Sequence, residues 1–207
     1  MTHSFQTTLF DADASAGPSE VDATAFDRAT HHRLDEQSWI THAPGFVLGH
    51  QRLLEDLAVV TPWEQRQRWM FNRMVEEPRL TAEYTDLSAA PVFLAELADV
   101  LSSRFAVAYD RIWMNWYRDH RDGTGWHSDR PANKPETAIV PVISLGAPRR
   151  FLIRPADGGR SIAFTPAGGD LLVMQGRCQR DWQHSVPKQK ATAVARMSLN
   201  FNSRSQS

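Results

Sequence analysis

The stretch GWHSDRP places two potential metal ligands, His127 and Asp129, close together after a glycine-containing turn. Such a pair also occurs by chance on polar surfaces. On a β-strand, however, residues i and i+2 share one face, so both side chains could reach a single ion. His184, in WQHSVPK, is the natural third ligand because it follows the apolar stretch DLLVM. Two histidines and one carboxylate are typical of non-haem Fe(II) oxygenases, and zinc with the same ligands is the competing assignment.

A cation on a late strand would complement such a site. Arg196 lies twelve residues after His184, on the polar face of ARMSLNF. An oxygenase that uses 2-oxoglutarate needs a positive anchor for the distal carboxylate, and the planar donor fork of arginine matches a carboxylate. Taken alone, Arg196 is more simply a surface arginine. Its place after the histidine and aspartate pair and after His184 favours the anchor.

Short strands are the elements that would position these residues. In RIWMNWYR, Trp113, Asn115 and Tyr117 share one face of an extended segment, and RDGTG follows as a turn. The last strand alternates in the same way, with Arg196 and Ser198 on its polar face. Further strand candidates are AIVPVISL, RRFLIR, SIAF and DLLVM. Many short strands separated by glycine and proline predict an antiparallel sandwich or barrel, preceded by helices.

Two amphipathic helices are predicted between residues 50 and 104. The first contains leucines at helix-face spacing, and the second is PVFLAELADVL, with Pro91 near its start. The residues expected to face the core are Leu53, Leu54, Leu57, Phe93, Leu94, Leu97 and Leu101.

The segment that begins with TPWE predicts a third helix. Thr61 would be its N-cap, Pro62 its first residue and Glu64 the second half of a capping box, with the helix running to about Met74. By contrast, residues 1–37 are polar and acidic without clear periodicity, which predicts a largely extended or mobile segment.

The composition fits one globular domain, because 42% of the 207 residues are hydrophobic and 23% are charged. The single cysteine, Cys178, excludes an internal disulfide and favours the reducing cytoplasm. An apolar run of about 18 residues and a signal-peptide pattern are both absent, so neither a membrane span nor export is predicted. We divide the chain into a polar segment (1–37), a helical support (38–110) and a strand-rich core (111–207), the last two forming one unit.

The charges are unevenly distributed, although the formal net charge is only −1. Residues 1–36 hold seven acidic and two basic side chains, a balance of −5, whereas residues 149–207 hold ten basic and three acidic ones, a balance of +7. A basic C-terminal part could attract a phosphate backbone. An ordinary solvated surface is the equal alternative.

Several segments, in this order, resemble the AlkB-type Fe(II)/2-oxoglutarate dioxygenases, especially their bacterial branch: NWYRDHRDGTGWHSDR, VISLGAPRRFLIRP, GGDLLVMQGRCQRDWQHSVPK and ARMSLNF. The resemblance covers about residues 111–201 and reaches more weakly into TPWEQRQRWMFNRMVEEPRLTAEYTD, which is similar to the family's nucleotide-recognition lid. It implies a mainly β protein with a double-stranded β-helix (jelly-roll) core, preceded by N-terminal helices and the lid.

The resemblance also implies roles for individual residues. Tyr117 would donate a hydrogen bond to the oxoglutarate carboxylate that Arg196 pairs with, and Ser198 would add a hydrogen bond on the same face. The residues expected to hold iron are His127, Asp129 and His184, and those expected to line the co-substrate pocket are Asn115 and Tyr117.

The implied reaction uses Fe(II), 2-oxoglutarate and O₂, and it yields succinate and CO₂. In the family it oxidises the N-methyl group of an alkylated base, which then loses formaldehyde. A base in a duplex must first be flipped out and held between stacking groups. His127 would form one wall, and Tyr84 or Trp69 from the lid the other, although Trp69 on the predicted helix also fits a core position.

Two departures from the family pattern put the substrate in question. Better-known members carry an acidic residue shortly after the aspartate ligand, which reads the exocyclic amino group of the base, but RPA follows Asp129 here. The family also usually closes with an arginine six residues after the oxoglutarate-binding one, and Asn202 stands at that position. Either Arg204 substitutes for that arginine, or the contact is missing.

Three functions follow from these observations. The favoured one is oxidative demethylation that repairs alkylated DNA or RNA. The alternative keeps the oxygenase but acts on a small molecule or a protein side chain, since the pocket and not the fold determines the substrate. A non-catalytic nucleic-acid-binding module is disfavoured by the full set of ligands. No membrane association and no obligate protein partner are predicted.

Overall fold

Alternation of apolar and polar residues along the central strands divides the fold into layers. The structure is a computed structural model that describes residues 15–70, 72–129 and 137–204. Met114, Met197 and Leu199 point from two adjacent central strands into a core shared with the helices. The polar residues between them point to the opposite face, as the period of two predicts.

The elements follow one another in two groups. Before residue 110 the chain forms strands β1 (Glu20–Val21), β2 (Thr30–Arg33), β3 (Ser38–Ala43) and β4 (Val47–Leu48), helix α1 (His50–Val60), strands β5 (Gln67–Met70), β6 (Arg73–Glu76) and β7 (Leu80–Tyr84), and helix α2 (Val92–Phe105). The second group is β8 (Arg111–Tyr117), β9 (Thr124–His127), β10 (Val140–Gly146), β11 (Phe151–Pro155), β12 (Ile162–Phe164), β13 (Leu171–Gly176), the one-turn helix α3 (Cys178–Asp181), β14 (Trp182–Val186) and β15 (Arg196–Asn202).

Two antiparallel sheets form the core. The larger has seven strands in the order β2-β3-β13-β10-β15-β8-β7, and the smaller has four in the order β12-β11-β14-β9. One apolar cluster joins Val142 and Leu172 of the larger sheet to Phe151 and Trp182 of the smaller, so the two sheets pack face to face. This arrangement confirms the predicted mainly β, jelly-roll core with N-terminal helices.

The helices cover the other face of the larger sheet. Leu57 of α1 and Leu97 of α2 lie in one buried cluster with Ile143 and Leu199. The two helices were predicted, and six of the seven residues expected to face the core are buried or nearly so: Leu53, Leu54, Leu57, Leu94, Leu97 and Leu101. The seventh, Phe93, is partly buried against the same cluster. Among the described residues, no helix is both long and apolar enough to span a bilayer.

The prediction of a third helix, beginning at Thr61, is wrong. Thr61 is the C-cap of α1, with its N–H bonded to the Leu57 carbonyl at 3.2 Å, rather than the N-cap of a new helix. Glu64 makes an isolated bridge to Thr81, and the following residues form the β5–β6 hairpin. The capping-box pattern is a local signal, and pairing with a distant strand has overridden it.

The N-terminal segment is more regular in its described part, residues 15–37, than the sequence predicts. It contains a short 3-10 helix, Ala23–Arg28, capped by the side chain of Asp22. Phe26 packs edge to face on Phe46 and Phe105, with ring centroids 5.5 Å and 6.0 Å apart. A few anchoring residues fix this segment without producing any periodic pattern.

Candidate metal and co-substrate site

The two histidines face each other across neighbouring strands of the smaller sheet. β9 pairs with β14 so that His127 and His184 are opposite, and their ring centroids are 4.3 Å apart. Asp129 follows two residues after the end of β9 and reaches both rings, with carboxylate oxygens 3.9 Å from Nε2 of His127 and 3.7 Å from Nε2 of His184. One ligand atom from each residue lies within 4.8 Å of the others, so the three could hold one ion.

The hydrogen bond of one histidine and the burial of the other fit a metal site. Nδ1 of His127 lies 2.9 Å from the Gly125 carbonyl oxygen and must donate to it, which leaves the Nε2 lone pair free to bind an ion. Burial lowers the pKa of His184 to about 4, so its imidazole is neutral at physiological pH. Neutral imidazoles with a carboxylate are the donor set of Fe(II) or zinc.

The larger sheet forms the opposite wall of this site. β8 and β15 pair in a register that puts Arg196 opposite Tyr117 and Ser198 opposite Asn115. The amide nitrogen of Asn115 donates to the Ser198 hydroxyl at 3.1 Å. The hydroxyls of Tyr117 and Thr124 form a hydrogen bond of 2.9 Å. The polar row predicted from the alternation therefore exists as one continuous surface.

Arg196 is a buried cation with unused donors. Its side chain is among the largest that are fully buried, at 1% exposure. One guanidinium nitrogen donates to the Ser144 hydroxyl at 2.9 Å, while Nε and Nη1 have no hydrogen-bond partner among the described residues. Burial lowers the pKa of Arg196, but an arginine keeps its charge in a protein. A buried charge with free donors is stabilised by an anion such as a carboxylate.

A cavity of about 350 Å³ joins the two walls. Val142, Phe151 and Val186 contribute apolar surface to it, and the Phe151 ring stacks on His184 at 5.3 Å between centroids. The predicted residues that line the cavity are His127, Asp129, His184, Asn115, Tyr117, Arg196 and Ser198. The three potential metal ligands and the guanidinium thus face one shared cavity.

A family model described as the 2OG-Fe(II) oxygenase superfamily matches residues 31–204, most of the chain. The chain belongs to the 2OG-Fe(II) oxygenase superfamily. Membership implies Fe(II), 2-oxoglutarate and O₂, which agrees with the donor set and the buried guanidinium.

Curated relatives of this oxygenase carry AlkB names. It is 30% identical over 182 residues to "Alpha-ketoglutarate-dependent dioxygenase alkB homolog 3" of Mus musculus, which covers 76% of this chain and 63% of the relative. It is 27% identical over 180 residues to "DNA oxidative demethylase ALKBH2" of Arabidopsis thaliana, covering 68% and 57%. The chain therefore spans less than two thirds of the length of these relatives. The matches confirm the resemblance to AlkB-type proteins.

A solved structure supports the fold. The structure titled "The structure of OsALKBH1" superposes with a TM-score of 0.53 at 15% identity, covering 84% of this chain and 100% of that one. At this identity the similarity concerns the jelly-roll architecture alone.

Three residues predicted to bind substrate do not line the oxygenase cavity. Tyr84 on β7 is only 9% exposed and belongs to the core under the helices. Trp69 lies on the β5–β6 hairpin, where it is 65% exposed, so it is neither in a helix nor in the core. Arg204 donates to the Thr85 carbonyl at 2.8 Å and does not line the cavity, whereas Asn202 does. Positions 130–132 lie outside the described residues.

Sequence reasoning missed two residues that support the co-substrate wall. Nε of Arg79 donates to the side-chain oxygen of Asn115 at 2.8 Å, and Nη2 pairs with Glu77 at 3.0 Å. Thr124, in the stretch RDGTG for which the sequence predicts a turn, forms a hydrogen bond with the Tyr117 hydroxyl. Neither position carries a periodic or motif signal, because each acts through a partner distant in the chain or across a turn.

Two further groups were missed at the edges of the cavity. Glu83 and Arg111 line it with opposite charges, their closest charged atoms 4.0 Å apart. The side chain of Gln179 on α3 contacts both the backbone N–H and the carboxylate of Asp129. A lone glutamine gives no sequence signal, so only the fold reveals this contact.

Proposed function

We propose that this chain is an Fe(II)/2-oxoglutarate-dependent dioxygenase that oxidatively demethylates N-alkylated bases in DNA or RNA. The observation that carries the proposal is the shared cavity, in which a two-histidine, one-carboxylate cluster faces a buried arginine with unpaired donors. Two relatives with "dioxygenase" and "DNA oxidative demethylase" in their names support the reaction class.

The cavity residues divide the work. His127, Asp129 and His184 would hold Fe(II), and Arg196 would pair with the distal carboxylate of 2-oxoglutarate. Tyr117 would add a hydrogen bond to the same carboxylate, and the Asn115–Ser198 pair lies beside it in the same polar row. When bound, Fe(II) and 2-oxoglutarate supply the oxidant, because O₂ is reduced as 2-oxoglutarate is decarboxylated to succinate and CO₂.

The apolar surface between the walls limits where the oxidised carbon can lie. Val142, Phe151 and Val186 give the cavity an apolar surface, and the Phe151 ring stacks on His184. A methyl group on a base nitrogen fits such a space better than a charged group does. Once the methyl group is hydroxylated, its hydroxyl loses a proton to water and the N–C bond breaks. The carbon leaves as formaldehyde, and the nitrogen keeps the electron pair of the broken bond.

Exposed charge and aromatic surface on and beside the β5–β6 hairpin support a nucleic-acid substrate. Trp69 projects from the β5–β6 hairpin, and Arg68 on the same strand and Arg66 just before it are also well exposed. Exposed aromatic rings stack on bases while arginines pair with phosphates. The excess of seven positive charges in residues 149–207 also favours a nucleic-acid substrate.

We also propose a cytoplasmic location, supported by a single cysteine, Cys178, which is buried and free.

A panel of methylated oligonucleotides and nucleosides tests the function. We expect formaldehyde and succinate in equal amounts from N1-methyladenine or N3-methylcytosine, only when Fe(II) and 2-oxoglutarate are both present. Succinate at background with every methylated DNA and RNA would reject the proposal.

A small molecule or a protein side chain is the second candidate substrate. It is favoured by the absence of an arginine at position 202, where Asn202 lines the cavity and Arg204 is engaged elsewhere. Tight binding of single-stranded oligonucleotides that weakens steeply with salt would reject this candidate, because such binding reports neutralised phosphates.

A further inference from the structure

The carboxylate ligand lies where the sheet does not hold it. β9 ends at His127, so Asp129 has no strand partner to fix its backbone. The two histidines, in contrast, are fixed by pairing between β9 and β14. A metal site loses affinity when a ligand is free to rotate, so something other than the sheet must orient Asp129.

Gln179 makes that contact. Its side-chain oxygen accepts the backbone N–H of Asp129 at 2.8 Å, and its amide nitrogen lies 3.5 Å from the carboxylate oxygen Oδ2. The same nitrogen lies 3.4 Å from the sulfur of Met174. Gln179 is only 4% exposed, so its amide has little access to water and forms its hydrogen bonds with these partners instead.

The base of Gln179 is itself firmly held. The preceding residue, Cys178, is 1% exposed and directs its sulfur toward the Trp39 carbonyl at 3.5 Å. On the other side of Gln179, the Asp181 N–H donates to the Arg177 carbonyl at 2.8 Å. The α3 turn therefore presents the amide from a rigid support.

The α3 turn also leads directly into the strand that carries the second histidine. Trp182 begins β14, and its carbonyl accepts a hydrogen bond of 2.9 Å from the Ser128 hydroxyl. Ser128 and Asp129 are thus both attached to residues 179–182, five to two positions before His184. One short segment fixes the distance between the carboxylate and that imidazole.

We propose that Gln179 is a positioning residue that orients Asp129 for metal binding. The proposal rests on the proposed function, since it assumes that the cluster binds a divalent ion. The amide fixes the backbone at Asp129 and lies against one carboxylate oxygen, which favours coordination through the other. Loss of the amide would leave the ligand in place but free to turn.

Substitution of Gln179 by methionine tests this role. Methionine keeps the length and the burial but removes both hydrogen bonds. The probe is Mn(II) with 2-oxoglutarate, and the free ion is counted by electron paramagnetic resonance. We expect Gln179→Met to bind Mn(II) about 10–100-fold more weakly than the unaltered chain, as is typical when a partner of a metal ligand is lost.

Gln175→Met is the matched control. Gln175 lies on β13, where its side-chain oxygen accepts a hydrogen bond of 2.7 Å from Thr41, away from the cluster. This variant loses a partly buried hydrogen bond to the glutamine side-chain oxygen, as Gln179→Met does, so thermal stability falls in both variants while Mn(II) affinity falls only in Gln179→Met. Gln179→Asn, which keeps the amide but shortens its reach, should show an intermediate affinity and serves if methionine prevents folding.

The outcomes separate the two proposals. Equal Mn(II) affinity in Gln179→Met, Gln179→Asn and the unaltered chain would overturn the positioning role and leave the proposed function intact. Equal losses of affinity in Gln175→Met and Gln179→Met would also overturn it, because the effect would then be one of stability. Failure of the unaltered chain to bind Mn(II) or Fe(II) would reject the proposed function itself.

Discussion

At the scale of single residues, the buried charge of Arg196 makes the sharpest prediction. Arg196→Ala removes two unpaired donors and should raise the 2-oxoglutarate concentration needed for half-maximal turnover by about 10–100-fold, the equivalent of about 1.5–3 kcal/mol for hydrogen bonds to a charged group. Succinate formation against 2-oxoglutarate concentration measures it. Arg150→Ala removes the charge of an exposed arginine and should leave the 2-oxoglutarate requirement unchanged. An unchanged requirement in Arg196→Ala would remove this residue from the co-substrate site.

Asp129 gives a second prediction at this scale. Asp129→Ala should reduce Fe(II)-dependent turnover to background, because the cluster then offers two ligands and no negative charge. The fold should remain, since Asp129 lies outside the strands. Circular dichroism and succinate formation test the two statements together. Asp157→Ala, at an exposed turn, is the control and should keep full turnover. Residual activity in Asp129→Ala would show that the ligand is another residue.

At the scale of elements, we expect the β5–β6 hairpin to contribute to oligonucleotide binding but not to the stability of the fold. Trp69 on β5 pairs across the hairpin with Met74 on β6, and both side chains are well exposed. Trp69→Ala should weaken the binding of a methylated oligonucleotide by about 5–100-fold, since stacking on one base contributes about 1–3 kcal/mol. Fluorescence anisotropy measures this, and the melting temperature should not change. Trp39→Ala removes another exposed tryptophan, on β3 of the larger sheet, and should leave the affinity unaltered.

Tyr84 belongs to the same predicted lid as Trp69, but its substitution should lower stability rather than oligonucleotide affinity. Tyr84→Ala should lower the free energy of unfolding by about 3–5 kcal/mol, because it empties a position in the core beneath the helices. Tyr84→Phe should keep both stability and turnover. Urea denaturation and formaldehyde release test the pair. Loss of turnover in a stable Tyr84→Phe would instead place the hydroxyl in the reaction.

The contrast between strands and hairpin shows what the sequence could predict. The polar faces of β8 and β15 follow from a period of two, and they carry Asn115, Tyr117, Arg196 and Ser198 to the cavity. The TPWE signal failed because Glu64 pairs with a strand far along the chain.

Contacts without a periodic signal were not predictable. Gln179 reaches Asp129 across fifty positions, and Arg79 reaches Asn115 across thirty-six. Nothing in the local sequence distinguishes these two side chains from other glutamines and arginines.

At the scale of the whole molecule, Cys178 reports on global unfolding. Burial raises the pKa of its thiol to about 12. At pH 8 the thiol of the folded protein is therefore protonated, and alkylation by iodoacetamide should be very slow until the chain unfolds. Mass spectrometry with and without urea measures this. Rapid labelling of the native protein would contradict the buried environment.

The raised pKa of the Cys178 thiol also predicts that the stability of the fold decreases at alkaline pH. Because its pKa is raised in the folded state, the stabilisation is complete below the pKa of an exposed thiol, about 8.5, and is lost as the pH rises from there toward 12. Cys178→Ala should lose less stability between pH 8 and pH 10 than the unaltered chain does. Parallel urea titrations at the two pH values test it.

The division of the site between the two sheets has a mechanical consequence. The imidazoles that would hold the ion project from the four-stranded sheet, and the guanidinium projects from the seven-stranded one. A dicarboxylate clasped at one end by the ion and at the other by the guanidinium would act as a strut between the halves of the sandwich. The saturated protein would then melt at a higher temperature as a single body, and its central amides would exchange hydrogen more slowly.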